Sequence, residues 1–152
     1  MWDDPEHTGM VVVAAVKRGS RAQEVIRNAA ELADALEAEL HVVHVGDQYE
    51  STEQIRRSSQ ANPGEPIDTE GPEQNAGEKA EKLGEAVIED FTPVGLVGYP
   101  AQEILAYADQ VDAHYVVLGG RKQSPVGKAL FGSVAQEVVL NADRPVVSVR
   151  IA

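Results

Sequence analysis

The sequence predicts an α/β protein: a doubly wound, five-stranded parallel sheet with helices on both faces. Stretches of strand character alternate with stretches of helical periodicity along the chain, the signature of a parallel sheet joined by helical crossovers. The first strand, Met10 to Val16, is a continuous apolar run and not an alternating one, as expected of a strand buried on both faces. The fourth strand leads into a basic, glycine-bearing stretch that ends at a new helix, His114 to Ser133. This is the order in which α/β proteins build sites for phosphate.

The elements follow in turn. After Met10 to Val16, Lys17-Arg18-Gly19 turns the chain, and Ser20 with Gln23 has the spacing of a capping box. Ala22, Val25, Ile26, Ala29, Leu32, Ala33 and Leu36 form one apolar stripe at helical spacing. Leu40 to Val45 is the second strand. Gly46 to Pro72 is polar and punctuated by Pro63, Pro66, Pro72, Gly64 and Gly71, with a short helical piece around Glu50 to Ser58. It reads as a flexible insertion, either a lid or a solvated loop. Helical spacing returns at Ala76, Ala80, Leu83 and Val87. Phe91 to Val97 is the third strand, and Pro93 suits it to a sheet edge. Pro100 opens the next helix, whose inner stripe is Ala101, Ile104, Leu105 and Ala108. His114 to Leu118 is the fourth strand, Ser133 caps the last helix, and Val146 to Ile151 is the final strand.

At 152 residues the chain is expected to be a single domain spanning residues 1–152. It has no cysteine, which excludes disulfides and cysteine-based zinc sites and suits a reducing compartment. The longest apolar run is too short to span a bilayer, and the acidic MWDDPEHTG start lacks a secretory pattern, so a cytoplasmic location is expected. A formal charge of −12 repels nucleic acid and anionic membranes, so neither is expected as a partner. Plain solubility would account for an acidic surface, but a charge this large on one small domain favours a halophilic, high-salt origin.

Against that background, no Asp or Glu occurs between Ala113 and Gln136, and six of the 13 basic residues fall in two loops: Lys17, Arg18 and Arg21, and Arg121, Lys122 and Lys128. Both loops follow carboxyl ends of strands, where ligands of such sheets bind. Backbone amides at a helix start, joined by Lys or Arg, suit phosphate. The bland alternative is that Ser133 only caps, Gly119 and Gly132 only turn, and the cations are only solvated. Gly127-Lys128 is not a P-loop, because Lys122 and Ala129 stand where that motif needs Gly and Ser or Thr. His41 and His44 lie three apart on a strand and so point to opposite faces, and with His7 and His114 isolated no metal site is expected. Tyr107 and Tyr115 read as packing residues, and no catalytic set stands out.

Several segments together resemble the universal stress protein family: VVAAVKRGS at Val12 to Ser20, LHVVHVGD at Leu40 to Asp47, GYPAQEI at Gly98 to Ile104, and VAQEVVLNADRPVVSV after Ser133. That family's nucleotide loop reads G-x-x-G, nine residues, then G-[S/T]. Here Gly119 fills the first position, Lys122 the second, and Gly132-Ser133 the last pair. The resemblance covers the chain apart from the N-terminal tail and Gly46 to Pro72. It implies strand order 3-2-1-4-5 and a homodimer through the edge strand Val146 to Ile151. It also implies binding of ATP or an AMP-type nucleotide, with Mg as an accompanying ion, at Lys17, Gly119, Arg121, Lys122, Gly132, Ser133 and Val134. Two departures bear on the site: Lys17 stands where the family's nucleoside-contacting aspartate is expected, and Lys122 replaces a glycine. The alternatives are a nucleotide-free dimeric interaction module of the same fold and an ATP pyrophosphatase of the related hydrolase class. The absence of a serine-rich loop after the first strand counts against the latter, and the expected role is regulatory, not enzymatic.

Overall fold

A computed structural model describes residues 9–17, 21–46, 71–121 and 132–151. The elements are β1 (Val11–Ala15), α1 (Ala22–Leu36), β2 (Glu39–Gly46), α2 (Pro72–Glu85), β3 (Thr92–Val97), α3 (Pro100–Gln110), β4 (Tyr115–Arg121), α4 (Ser133–Asn141) and β5 (Val146–Ile151). All strand pairs are parallel and the order is β3-β2-β1-β4-β5, as expected.

The apolar run at the start occupies the middle of the sheet. Val11, Val12, Val13 and Ala14 are at most 1% exposed. Side chains alternate across a strand. Val12 and Ala14 therefore join Val25, Ile26, Ala29 and Ala33 of α1 and Ala80 of α2, whereas Val11 and Val13 join Ile104 and Ala108 of α3 and Ala135 and Val138 of α4. A middle strand apolar on both faces requires a helical layer on each.

Local chemistry departs from the sequence reading in four places. The cap of α1 is Arg21, held at φ 54° with no side-chain cap bond; the expected cap, Ser20, lies outside the described residues. Gly46 closes β2 and Pro72 opens α2, so both ends of the predicted insertion belong to flanking elements. A proline serves at the first helical turn because its missing N–H is not needed there. Most of that segment, residues 47–70, lies outside the described residues, including the helical piece expected at Glu50 to Ser58. The cap of α4 is Gly132, and Ser133 is the first helical residue, making no side-chain cap bond. Finally, β4 continues through Gly119, Gly120 and Arg121, which pair with Val149, Arg150 and Ile151 of β5. Glycine is a weak strand residue in isolation, but here the ladder with β5 holds it extended.

Two contacts fix the outer elements. β3 is an edge strand, as Pro93 indicated, and α2 lies directly on it. A Cβ on Gly95 would run into the backbone nitrogen of Gly77 and the carbonyl oxygen of Glu73, so glycine at this position allows the close approach. At the other side, Arg144 donates to the Ala113 carbonyl at 2.6 Å and to Asp109 Oδ1 at 2.7 Å, clasping the end of α3 from the turn before β5. A guanidinium also suits the negative pole of a helix.

His41 is buried on the α3 side, with Nδ1 2.7 Å from the Tyr107 hydroxyl and Nε2 3.2 Å from Glu39 Oε1. A hydroxyl donating to Nδ1 places the ring proton on Nε2, where it donates to Glu39. Tyr107 is thus a packing residue with a polar tether from α3 to β2. Burial, and secondly the Glu39 charge, push its hydroxyl above the ordinary value of 10.0.

Two predictions follow from these contacts. Gly95→Ala is expected to lower unfolding free energy by about 1–3 kcal/mol through backbone overpacking. Gly77→Ala, on the helix side of the same contact, where a Cβ comes no closer than 3.7 Å to a neighbour, serves as the control and is expected to cause no loss, both read by urea denaturation. For Tyr107, the folded state keeps a proton that the unfolded chain loses near pH 10. The associated stability is therefore present below about pH 10 and declines as pH rises through the folded value. Tyr107→Phe is expected to cost about 1 kcal/mol near neutrality and to flatten the alkaline decline in a pH series of melting curves.

Candidate functional site

The chain winds from β1 through β2 to β3 at one edge, then returns to β4 on the other side of β1. The winding reverses between β1 and β4, and beyond their carboxyl ends lies the crevice where doubly wound sheets bind ligands. Pairing of β1 with β4 runs only from Val12↔Tyr115 to Ala14↔Val117. Past that point β1 continues to Val16, still bonded to β2 through its N–H to the Val43 carbonyl at 2.9 Å, and ends at the exposed Lys17. β4 continues instead alongside β5 to Arg121. The two strands therefore part with Lys17 ending one and Gly119-Gly120-Arg121 ending the other.

Strand alternation puts Gly119 on the α1 side and Gly120 on the α3–α4 side, so the last rungs of β4 carry no side chain on either face before Arg121. α4 then begins at the same edge. Gly132 has extended geometry (φ −66°, ψ 166°), and a Cβ built on it would meet nothing within 4 Å. The N–H groups of Ser133, Val134 and Ala135 have no acceptor among the described residues, as the first turn of a helix dictates. Ser133 is exposed, whereas Val134 packs its side chain toward the α3–α4 core and can offer only its backbone N–H. The first turns of α1, α2 and α3 carry Glu24, Glu73 and Glu103, while that of α4 carries no acid. The start of α4 thus keeps the partial positive charge of its dipole uncompensated.

Of the sequence-predicted site residues, Lys17, Gly119, Arg121, Gly132, Ser133 and Val134 come to this one edge. Gly119 and Arg121 do so as strand residues, not as loop residues, for the pairing reason given above. Lys122, Arg18 and Lys128 lie outside the described residues. Arg21 is directed elsewhere, with its guanidinium 3.2 Å from Glu24 Oε1. His41 and His44 take opposite faces, His44 being buried with Nδ1 3.1 Å from the Val16 carbonyl. Tyr99, which the sequence reading passes over in favour of Tyr107 and Tyr115, stands at this edge 75% exposed.

An open cleft of about 660 Å³ lies at the opposite, amino end of the strands, between the C-terminal ends of α1 and α2. Its lining includes Asp34, Glu37, Glu39, Glu89 and Asp90 and no Lys or Arg. Carboxylates beside the negative poles of two helices repel phosphate, so this cleft does not suit an anion.

The Universal stress protein family profile matches residues 10–150. A universal stress protein from Mycolicibacterium smegmatis is 43% identical over 58 residues, 38% of this chain and 43% of that protein, so the match spans less than half the relative's length. The solved universal stress protein of Archaeoglobus fulgidus is 34% identical, with TM-score 0.56 and coverage of 91% of this chain and 97% of that one. A structure of the universal stress protein from Archaeoglobus fulgidus in complex with dAMP is 29% identical, with TM-score 0.50 and coverage of 91% and 96%.

Proposed function

This chain belongs to the universal stress protein family, and we propose that it binds ATP or an AMP-type nucleotide at the carboxyl edge of its sheet. The observation that carries the reading is the start of α4: an acid-free first turn, three backbone N–H groups without a described acceptor, and a glycine cap with open space in front of it. An anion placed there meets oriented dipoles at no cost in side-chain ordering. The bare end of β4 leaves room for the rest of the ligand, and Lys17 across the crevice supplies an ammonium group for phosphate. The dAMP complex of the Archaeoglobus fulgidus protein supports a nucleotide as the ligand class. Lys17 in place of a carboxylate shifts the emphasis from the nucleoside to the phosphates, which favours ATP over AMP.

The role is that of a regulatory binding protein, not an enzyme. His44 is buried against the Val16 carbonyl, and Glu103 folds back over Gly98, where a Cβ would lie 2.8 Å from its Oε2. Both are engaged within the fold, which supports a binding role over a hydrolytic one.

The second reading, a nucleotide-free module acting by self-association, is favoured by one feature. Among the described residues β5 pairs only with β4, and its valines are half-buried, while Val139 and Leu140 of the preceding helix are exposed. Pairing of β5 with a second copy would satisfy its outer backbone groups, and we propose a homodimer through Val146–Ile151 under either reading.

Calorimetric titration of ATP with magnesium into the purified protein, at moderate and high salt, tests the first reading. Saturable binding is expected. Gly132→Val, whose side chain fits the backbone but enters the phosphate path, is expected to weaken it more than about tenfold, or ~1.4 kcal/mol, with only the small drop in melting temperature that losing a glycine cap brings. Absence of binding to the folded chain would leave the interaction module. Sedimentation equilibrium is expected to return twice the chain mass of 16.3 kDa, and a 16.3 kDa species alone would reject the dimer.

A further inference from the structure

Tyr99 occupies the N-cap of α3, a position where Ser, Thr, Asp or Asn would satisfy a free backbone N–H. It makes no side-chain cap bond, and the residue is 75% exposed. The local rule is thus broken with no gain in packing or capping, which is the mark of a residue kept for another purpose. Its mount is rigid. Gly98 before it is held at φ 144° and donates its N–H to the Gly46 carbonyl of β2 at 3.1 Å, and Pro100 after it has a fixed φ.

The position matters as much as the exposure. α3 and α4 pack side by side on one face of the sheet, and both begin at the carboxyl edge. Tyr99 follows Gly98, which is bonded to Gly46 at the end of β2, two strand spacings or about 10 Å from β4. That separation is comparable with the reach of a nucleotide from its outer phosphates to its base. The edge between them runs over the ends of β2 and β1, where Gly46 carries no side chain.

We propose that Tyr99 is the platform on which the base of the bound nucleotide stacks, a specificity element that rests on the nucleotide-binding reading above. The phenol ring supplies a flat apolar surface for a planar base at an edge whose other end is suited to phosphate. Stacking of this kind tolerates different bases, so the site would select for a base as such, ahead of hydrogen-bonded recognition of one purine.

The test compares ATP with inorganic tripolyphosphate by calorimetry on the parent chain, Tyr99→Ala and Tyr99→Phe. Tyr99→Ala is expected to weaken ATP binding by about 5- to 150-fold while leaving tripolyphosphate affinity and melting temperature unchanged. Tyr99→Phe is expected to keep the parent's preference for ATP over tripolyphosphate. Undiminished ATP binding by Tyr99→Ala overturns the stacking role alone. Equal loss of both ligands, or a lowered melting temperature, also overturns it by showing a structural role. Failure of the parent chain to bind ATP overturns this proposal together with the reading it rests on.

Discussion

The structure depends on the burial of β1 from both faces and along both edges. Val11 to Ala14 have no contact with solvent to lose, and each residue meets β2 on one side or β4 on the other as well as a helix above or below. Parallel pairing cannot be closed by a tight turn, so every strand added to β1 needs a crossover helix. With β2 and β3 laid to one side and β4 and β5 to the other, α1 and α2 cover one face and α3 and α4 the other. The reversal beside β1 is therefore a consequence of its central place. So is the crevice, because strands that leave a shared pairing in opposite directions open a gap at their carboxyl ends.

The same topology sorts charge. Every helix here runs opposite to the strands, so helix N-termini gather at the carboxyl edge and helix C-termini at the amino edge. On a chain of net charge −12, carboxylates are free to collect at either. They fill the amino-end cleft, where Asp34 and Glu37 sit against the unfavourable pole of α1, and they are absent from the first turn of α4. Had acids merely been spread for solubility, the first turn of α4 is where the helix dipole would have made them most favourable. Their absence there matches the absence of acids from Ala113 to Gln136 in the sequence.

Elements whose signal is a burial pattern were legible in the sequence: the continuous run of β1, the stripe of α1, and Pro93 marking β3 as an edge. The reading slipped where the deciding partner is distant along the chain. Gly119 and Gly120 look like a loop until β5 is placed beside them, since only the ladder to Val149 and Arg150 holds them extended. Ser133 has the composition of a cap, but the chain enters α4 one residue earlier, with Gly132 in the extended cap geometry. The residues of the site could be named from the motif spacing. Their separation into strand end, helix start and opposing lysine could not, because spacing along the chain says nothing of which strand a glycine leaves. Tyr99 draws no notice in the sequence because a residue between a turn glycine and a helix-opening proline reads as a connector, and its exposure is visible only in three dimensions.

The two edges of the sheet differ in a way that bears on assembly. An open edge presents unpaired N–H and C=O groups and invites a further strand. At β3 the invitation is withdrawn: Pro93 removes a donor, and the Gly77–Gly95 approach lays α2 close over the strand. Among the described residues β5 carries neither device, and its sequence VVSVRI sets half-buried valines beside the exposed Ser148 and Arg150. Arg144 also ties the turn that leads into β5 to the end of α3. One blunted edge and one edge without such a device suit the pairing proposed above, because a second copy using the same strand would leave no further edge of that kind to extend. A pair joined at β5 also keeps the carboxyl edge of each copy clear of the joint's hydrogen-bonding direction. The nucleotide binding and the self-association proposed here would then make separate demands on the fold.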